Sequence, residues 1–283
     1  MDILNEVQKK AMKVVVQKSK PASEAAFPRL VERLKHTNFT EEDLRKVLRY
    51  IRDKAPIIIH VDLSAVLQFF VKDTNYRNQF ETKTSRGTLD NGVRRGWERR
   101  MFDGVYDDES VKGFDRVKYG VLNIVNDPNG INSCVGYGDS FFILKKVRLR
   151  TSFANKDSGC DDALLACCEY YCHVLESFDD SELKAVMDVG LKFDEDPSFF
   201  IASASVGMWN YKEIQIHGPI AFNQHIAGLR VNVRHKIQKD IVNSIRKFCN
   251  TNNISDVKYI DGSSFDLSPS SSSSSSSSFF SFS

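Results

Sequence analysis

The sequence predicts an α+β fold in which an N-terminal helical module packs on a mixed, mostly antiparallel sheet. Two observations favour this class. From Pro56 onward the strand-like segments follow one another without the regular strand–helix–strand alternation of a doubly wound parallel sheet. Before Pro56 the apolar side chains instead recur at helical spacing. The chain has 283 residues, of which 41% are hydrophobic, so it can bury a full core.

The pattern divides the chain into three parts. Residues 1–55 form the helical module, residues 56–262 the α+β domain, and residues 263–283 a low-complexity tail. The tail contains an unbroken run of serines at 270–278. Such a run buries too little apolar surface to offset chain entropy, so the tail is expected to be disordered.

Proline and capping signals set the expected helix boundaries in the module. Pro21 and Pro28 are expected to interrupt the first helical pattern, because proline lacks the N–H that a helix interior requires. Thr40 is the expected N-cap of a further helix, since three acidic residues follow it at 41–43.

Alternating or β-branched segments predict the strands of the α+β domain, and apolar spacing of three and four predicts its helices. Strands are expected at 57–61, 118–124, 140–145, 147–153, 211–218 and 257–260. Helices are expected at 62–70, 180–190 and 233–250. Residues 76–132 are rich in Gly, Asn, Asp and Arg, which predicts long connections, where binding residues often lie.

Four of the six cysteines cluster between positions 160 and 172, beside His173, as they could in a metal site. Their spacing does not follow the paired CxxC pattern of a zinc site. Cys167, Cys168 and Cys172 instead continue an apolar stripe from Leu164, which predicts a helix with buried thiols. No metal is expected there, and reduced cysteines favour a cytoplasmic location.

Composition and missing motifs exclude several function classes. No apolar run reaches the roughly 18 residues that a membrane span needs, so no membrane partner is expected. The sequence has no P-loop, no GxGxxG dinucleotide motif, no GxSxG elbow, no HExxH and no kinase signature. A basic patch at residues 94–100 has few aromatic residues between its arginines, so it supports nucleic-acid binding only weakly.

Residues 211–218 (YKEIQIHG) carry the most informative pattern in the chain. In a strand of period two, Ile214 and Ile216 lie on one face, which suits a core. The opposite face presents a column of polar side chains: Tyr211, Glu213, Gln215 and His217. Such a face is either the solvated side of an antiparallel strand or part of a functional site.

Three residues on separate predicted strands resemble the His-Tyr-Glu arrangement of the ADP-ribosyltransferase superfamily: His60, Tyr119 and Glu213. Residues 58–63 resemble its strand-then-helix opening, with Val61 where that superfamily commonly has Gly-Thr. The resemblance implies an NAD site in which His60 hydrogen-bonds the nicotinamide ribose and Tyr119 stacks on nicotinamide. Glu213 would then steer the ribose hydroxyl and stabilise an oxocarbenium-like transition state.

Four further motifs together resemble a family of unknown function, DUF3626, found chiefly in bacteria. They lie at 79–87, 97–107, 118–123 and 213–218. The chain has Val61 and Asp62 where that family has a second histidine and a proline. This likeness brings no activity with it, so the functional expectation comes from the ADP-ribosyltransferase resemblance.

Three hypotheses follow. The first is an NAD-dependent ADP-ribosyltransferase-like transferase or NAD glycohydrolase, with Glu213 catalytic and an unidentified protein or small-molecule acceptor. Its expected cofactor-binding residues are His60, Tyr119, Gln79, Thr84, Ser85, Gln215 and His217. The second is a metal-dependent hydrolase whose ligands would be His60, Asp62, Glu213 and His217. The third is a non-catalytic binding or regulatory protein in which 211–218 is an ordinary half-exposed strand.

Overall fold

The computed structural model describes residues 4–84, 90–206 and 211–261. Its helices are α1 (Glu6–Leu34), α2 (Glu41–Asp53), α3 (Leu63–Phe70), α4 (Gln79–Thr82), α5 (Asn91–Phe102), α6 (Cys172–Glu176), α7 (Asp180–Lys192), α8 (Phe222–His225) and α9 (Lys239–Thr251). Its strands are β1 (Ile57–Val61), β2 (Asn75–Tyr76), β3 (Lys118–Leu122), β4 (Ser140–Leu144), β5 (Thr151–Ala154), β6 (Leu165–Cys167), β7 (Glu213–Ile216), β8 (Ile220–Ala221), β9 (Ile226–Asn232) and β10 (Asp256–Ile260).

The described strands form one eight-stranded sheet and a separate two-stranded pair, β2 with β8. The order across the large sheet is β10-β9-β4-β1-β3-β7-β5-β6. Neighbouring strands run antiparallel except β9 and β10, which are parallel. The prediction of an α+β fold with a mixed, mostly antiparallel sheet is therefore confirmed.

The sheet splits between its two central strands. β1 and β3 pair only at Ile57 with Leu122 and at Ile58 with Val121. Beyond that point β1 continues its ladder with β4 as far as Val61, while β3 continues its own ladder with β7. The facing ends of β1 and β3 therefore have backbone edges that are not paired with each other, and a cavity opens there.

The two N-terminal helices share a core with the sheet. α1 buries one stripe of side chains along its 29 residues and lies against α5, α6 and β6, while α2 lies against α7. Leu30 of α1 and Val47 of α2 belong to the same buried apolar cluster as Ile58 and Ile214 of the sheet. The helices are thus held to the sheet by a continuous apolar contact.

The prolines do not interrupt the first helix, contrary to the prediction. α1 continues through Pro21 and Pro28. Both prolines are exposed, as are Gln17 and Glu24, whose carbonyls lose their helical partner at the prolines. Water can bond those carbonyls, and the buried stripe on the opposite face stabilises the helix. The expected N-cap of α2, Thr40, is confirmed.

The helix predicted through the cysteines is wrong. Residues 165–167 form β6, which pairs with β5, and the helix α6 begins only at Cys172. The same apolar side chains can be buried from a helix or from a strand, and the available edge of β5 decides between them. All six cysteines are free thiols, with Cys160 exposed and the others buried.

The other predicted elements differ from the structure only in their ends. Helix α5, within the stretch expected to form long connections, and strand β9 were not predicted. A 3₁₀ turn at Arg148–Arg150 precedes β5, and another at Val233–Ile237 precedes α9. The strand predicted at 211–218 is confirmed over its central four residues as β7. Within the ranges that the structure describes, no helix has both the length and the apolar character needed to cross a membrane.

Candidate functional site

A cavity of about 710 Å³ lies at the split between β1 and β3. This volume falls within the range of small-molecule sites, roughly 300–1,000 Å³. His60 and Val61 from β1, Tyr119 from β3 and Glu213 from β7 line it. Helix α3 adds an apolar wall consisting of Ala65, Val66, Phe69 and Phe70. Other segments add polar groups: Gln79, Thr82, Thr84, Arg94, Tyr137, Asp157 and Tyr211.

The fold brings most of the predicted site residues to this one cavity. Five of them line it: His60, Gln79, Thr84, Tyr119 and Glu213. Gln215 and His217 share the Glu213 face of β7 but are fully buried behind the cavity wall. Ser85 lies outside the described residues.

Glu213 is a buried carboxylate at the cavity wall. It pairs across the sheet with Val121, and only 6% of the residue is exposed. Gln215 donates to its Oε1 from Nε2 at 2.8 Å. Burial, followed by the negative charge of Asp157, raises the pKa of Glu213 from 4.5 to about 7, while Arg94 acts in the opposite direction. A carboxyl with this pKa can exist in either protonation state near neutral pH.

Asp157 is a further carboxylate at the cavity, and the sequence did not predict it. Tyr211 donates its hydroxyl to Asp157 Oδ2, and the Gly159 N–H donates to Oδ1 at 2.6 Å. Tyr137 in turn lies 3.3 Å from Tyr211, hydroxyl to hydroxyl. The available signal was the Asp-Ser-Gly turn at residues 157–159, shortly after the end of β5. It carries no functional information until β5 and β7 are known to be neighbours.

Tyr119 contributes its aromatic ring to the cavity wall. The guanidinium of Arg94 lies 5.2 Å from the centre of this ring and 5.5 Å from that of Trp97. Among the described residues the Tyr119 hydroxyl has no hydrogen-bond partner, and neither has Nε2 of Gln79. Buried polar atoms normally have partners, so these two are candidates to bond a ligand.

Helix α5 carries Arg94 and Trp97, and a buried ion pair fixes it to the sheet. Glu98 of α5 pairs with Arg116, and both side chains are almost fully buried. Arg116 also donates to the Tyr106 carbonyl at 2.7 Å. Removing either partner would leave an uncompensated buried charge. The pair therefore stabilises the position of α5 next to the start of β3.

His60 lines the cavity, but both of its ring nitrogens are already used. Nδ1 lies 2.8 Å from the Gly138 carbonyl, and the Ile131 N–H donates to Nε2 at 3.1 Å. Burial lowers the pKa of His60 to about 4, so the ring is neutral at physiological pH. It anchors the 131–138 loop, which carries Cys134 and Tyr137 to the cavity. A ligand would meet the ring by van der Waals contact.

The residues proposed as metal ligands are not arranged as a metal site. Across the described ranges, no group of three or more His, Cys, Asp or Glu side chains is placed to hold one ion. Asp62 caps α3 by accepting from the Ser64 N–H, and His217 is bonded to Tyr106 behind the cavity. The negative charge of Asp157 acts on Glu213, and Asp62 and Asp73 also line the cavity.

Comparison with known proteins assigns the chain to a family without assigning an activity. No curated protein matches the chain. The sequence model of the family described as "Protein of unknown function (DUF3626)" matches residues 55–273, which excludes α1 and α2. The match covers most of the chain, including all the segments that line the cavity, and the chain therefore belongs to the DUF3626 family.

Proposed function

We propose that the protein is an NAD-dependent ADP-ribosyltransferase-like transferase or NAD glycohydrolase. The observation that carries this proposal is the position of Glu213. It is a buried carboxyl, with its pKa raised to about 7, at the wall of a ligand-sized cavity that also exposes Tyr119 and His60. The three residues lie on β1, β3 and β7, neighbouring strands on either side of the split.

The chemistry of the cavity suits the parts of NAD. The nicotinamide ring of NAD⁺ is cationic and planar, and Glu213 and Asp157 supply negative charge beside the aromatic rings of Tyr119 and Tyr211. The guanidinium of Arg94 can neutralise an anionic diphosphate. The apolar α3 wall offers packing surface for a planar base.

The proposed reaction breaks the bond between the ribose carbon and the nicotinamide nitrogen. Nicotinamide leaves with the bonding electron pair, and the ribose carbon becomes oxocarbenium-like until an acceptor or water attacks it and releases a proton to the solvent. Ionised Glu213 stabilises this developing positive charge from a buried position, where the interaction is stronger than in water. Gln215 holds the carboxylate in place by its 2.8 Å hydrogen bond.

The pH profile tests the proposal. Nicotinamide release from labelled NAD should rise with pH and reach half its plateau near pH 7, because Glu213 must be ionised and its pKa is about 7. The rate of release, measured from pH 5 to 9, gives the midpoint. Replacing Asp157 by Asn removes the like charge that raises this pKa, so the midpoint of D157N should move to lower pH.

Two results would overturn the proposal. One is the absence of NAD binding and of nicotinamide release, with or without added guanidine compounds, proteins and nucleotides as acceptors. The other is a rate of release that is the same at pH 5 and pH 9, since the reaction would then not depend on an ionised Glu213.

A further inference from the structure

A chain of hydrogen bonds runs from Glu213 into the protein, away from the cavity. Gln215 Nε2 donates to Glu213 Oε1 at 2.8 Å, and Ser152 Oγ donates to Gln215 Oε1 at 2.8 Å. Ser152 Oγ also lies 3.4 Å from His217 Nε2. Tyr106 closes the chain, with its hydroxyl 2.7 Å from His217 Nδ1. We call these five residues the relay.

The relay is shielded from water. Gln215, Ser152, His217 and Tyr106 are fully buried, and Glu213 is nearly so. They lie on the adjacent strands β5 and β7 and on the segment after α5. In such surroundings each hydrogen bond is strengthened by its neighbours, and a misdirected one is costly.

Charged groups face both ends of the relay. At the Glu213 end these are Asp157 and Arg94. Tyr106, at the far end, faces Glu98, Arg116 and Asp115. Next to His217 are Arg150, which donates to the His217 carbonyl, and Lys118 on β3. Burial together with these two cations lowers the pKa of His217 to about 3. The imidazole is therefore neutral across the physiological range, with one nitrogen protonated and one free.

The donors and acceptors can be ordered in one direction when Glu213 is ionised. A carboxylate only accepts, so the Gln215 amide must donate to it and turn its oxygen towards Ser152. Ser152 then donates to Gln215 and accepts from His217 Nε2–H. That leaves Nδ1 of His217 to accept from Tyr106, so every dipole points towards Glu213.

A protonated Glu213 allows the opposite order. Its O–H can donate to the Gln215 oxygen once the amide has turned over. The Gln215 NH₂ then donates to Ser152, and Ser152 donates to Nε2 of His217. His217 carries its proton on Nδ1 and donates to Tyr106. Every bond is kept, and only its direction changes.

We propose that this relay positions Glu213 and reverses direction when Glu213 gains or loses its proton, so that His217 changes tautomer without changing charge. The inference builds on the proposed function, since it assigns Gln215, Ser152 and His217 as positioning residues for the reacting carboxylate. It predicts that Glu213 keeps a complete set of buried hydrogen bonds in either protonation state, so that no buried polar group is left without a partner when the carboxyl titrates.

Nitrogen NMR of the full-length protein tests the relay without any activity measurement. Histidine is labelled with ¹⁵N, and the His217 signals are identified by their loss in His217→Gln. We expect the Nε2–H tautomer above pH 7 and the Nδ1–H tautomer below it, with one midpoint near pH 7. In Glu213→Gln the change with pH should disappear.

Two matched alanine substitutions separate the relay from general effects of strand serines. Ser152→Ala breaks the link between Gln215 and His217, so the His217 tautomer should no longer follow pH. Ser140→Ala removes the same group from a fully buried serine on β4, where Oγ accepts from the Asn232 N–H at 3.1 Å, and should leave the change intact.

The outcomes distinguish the relay from the proposed function. A His217 tautomer that stays constant from pH 5 to 9 in the wild-type protein overturns the relay, whatever the activity. A pH-dependent tautomer that persists in Glu213→Gln or Ser152→Ala overturns it as well. A tautomer change without any NAD chemistry supports the relay and counts against the proposed function alone. Should Ser152→Ala fail to fold, Glu213→Gln alone decides.

Discussion

Replacing Glu213 by Gln is expected to lower nicotinamide release from NAD at least about 100-fold at pH 8, because it removes the charge opposite the oxocarbenium-like centre. The amide has nearly the same shape, and its oxygen can still accept the hydrogen bond from Gln215. Binding of NAD should therefore change far less than turnover. Steady-state kinetics with nicotinamide as the measured product would separate kcat from KM.

The same substitution is expected to make the protein more stable. Folding raises the pKa of Glu213 from 4.5 to about 7, so between these pH values the folded state holds a proton that the unfolded state has lost. The contribution of Glu213 to the free energy of unfolding is largest below pH 4.5 and is lost as the pH rises through 7. At pH 8 the cost is on the order of 3 kcal/mol, which a neutral amide avoids. Thermal unfolding of both forms at pH 5 and pH 8 measures it.

Glu182→Gln is the matched control for both effects. Glu182 is also buried, but it forms an ion pair with Lys212 at 3.0 Å, outside the cavity. The same change there should lower stability, since it removes the carboxylate that pairs with a buried lysine, and should leave turnover nearly unchanged. An E213Q protein that is fully active, or less stable than the wild type at pH 8, would contradict the assignment of Glu213.

The strand at residues 211–218 shows what a single sequence can and cannot predict. The two-residue alternation of a strand correctly predicted that Glu213, Gln215 and His217 lie on one face and Ile214 on the other. The same pattern could not tell whether the polar face is solvated. It is buried, because Phe102 at the end of α5 and Tyr106 just after it pack against His217. Burial of that face depends on long-range contacts that no local pattern encodes.

The same limit explains the other differences. The cysteine segment has a good helical stripe, yet Leu165–Cys167 becomes a strand because the β5 edge needs a partner. Asp157 gave no sign of function, since its importance comes from its nearness to Glu213 on a strand far along the chain. Conversely, His60 was correctly placed at the cavity, but its bonds to Gly138 and Ile131 are set by a loop whose path the sequence does not reveal.

Replacing Gly138 by Ala is expected to destabilise the protein by more than about 4 kcal/mol or to prevent folding. Gly138 has φ +149° and ψ 153°, a region that essentially only glycine occupies. A Cβ there would lie 2.0 Å from the Val61 carbonyl carbon and 2.3 Å from the Asp62 nitrogen. Both are backbone atoms at the junction of β1 and α3, so no side chain can move aside. Chemical denaturation of the purified variant gives the free energy of unfolding.

Gly136→Ala, within the 3₁₀ turn Asn132–Tyr137 that Gly138 follows, provides the comparison. A Cβ at Gly136 meets no described atom within 4 Å, so this variant should fold with nearly wild-type stability. The difference between the two variants isolates the contact of the loop with β1 from the general effect of adding a methyl group. The Gly138 carbonyl is also the partner of His60 Nδ1. A displaced loop would carry Tyr137 away from Tyr211, which holds Asp157, and would open that part of the cavity wall. Equal stability of the two variants would show that the loop is not fixed against β1, and would remove the structural role assigned to His60.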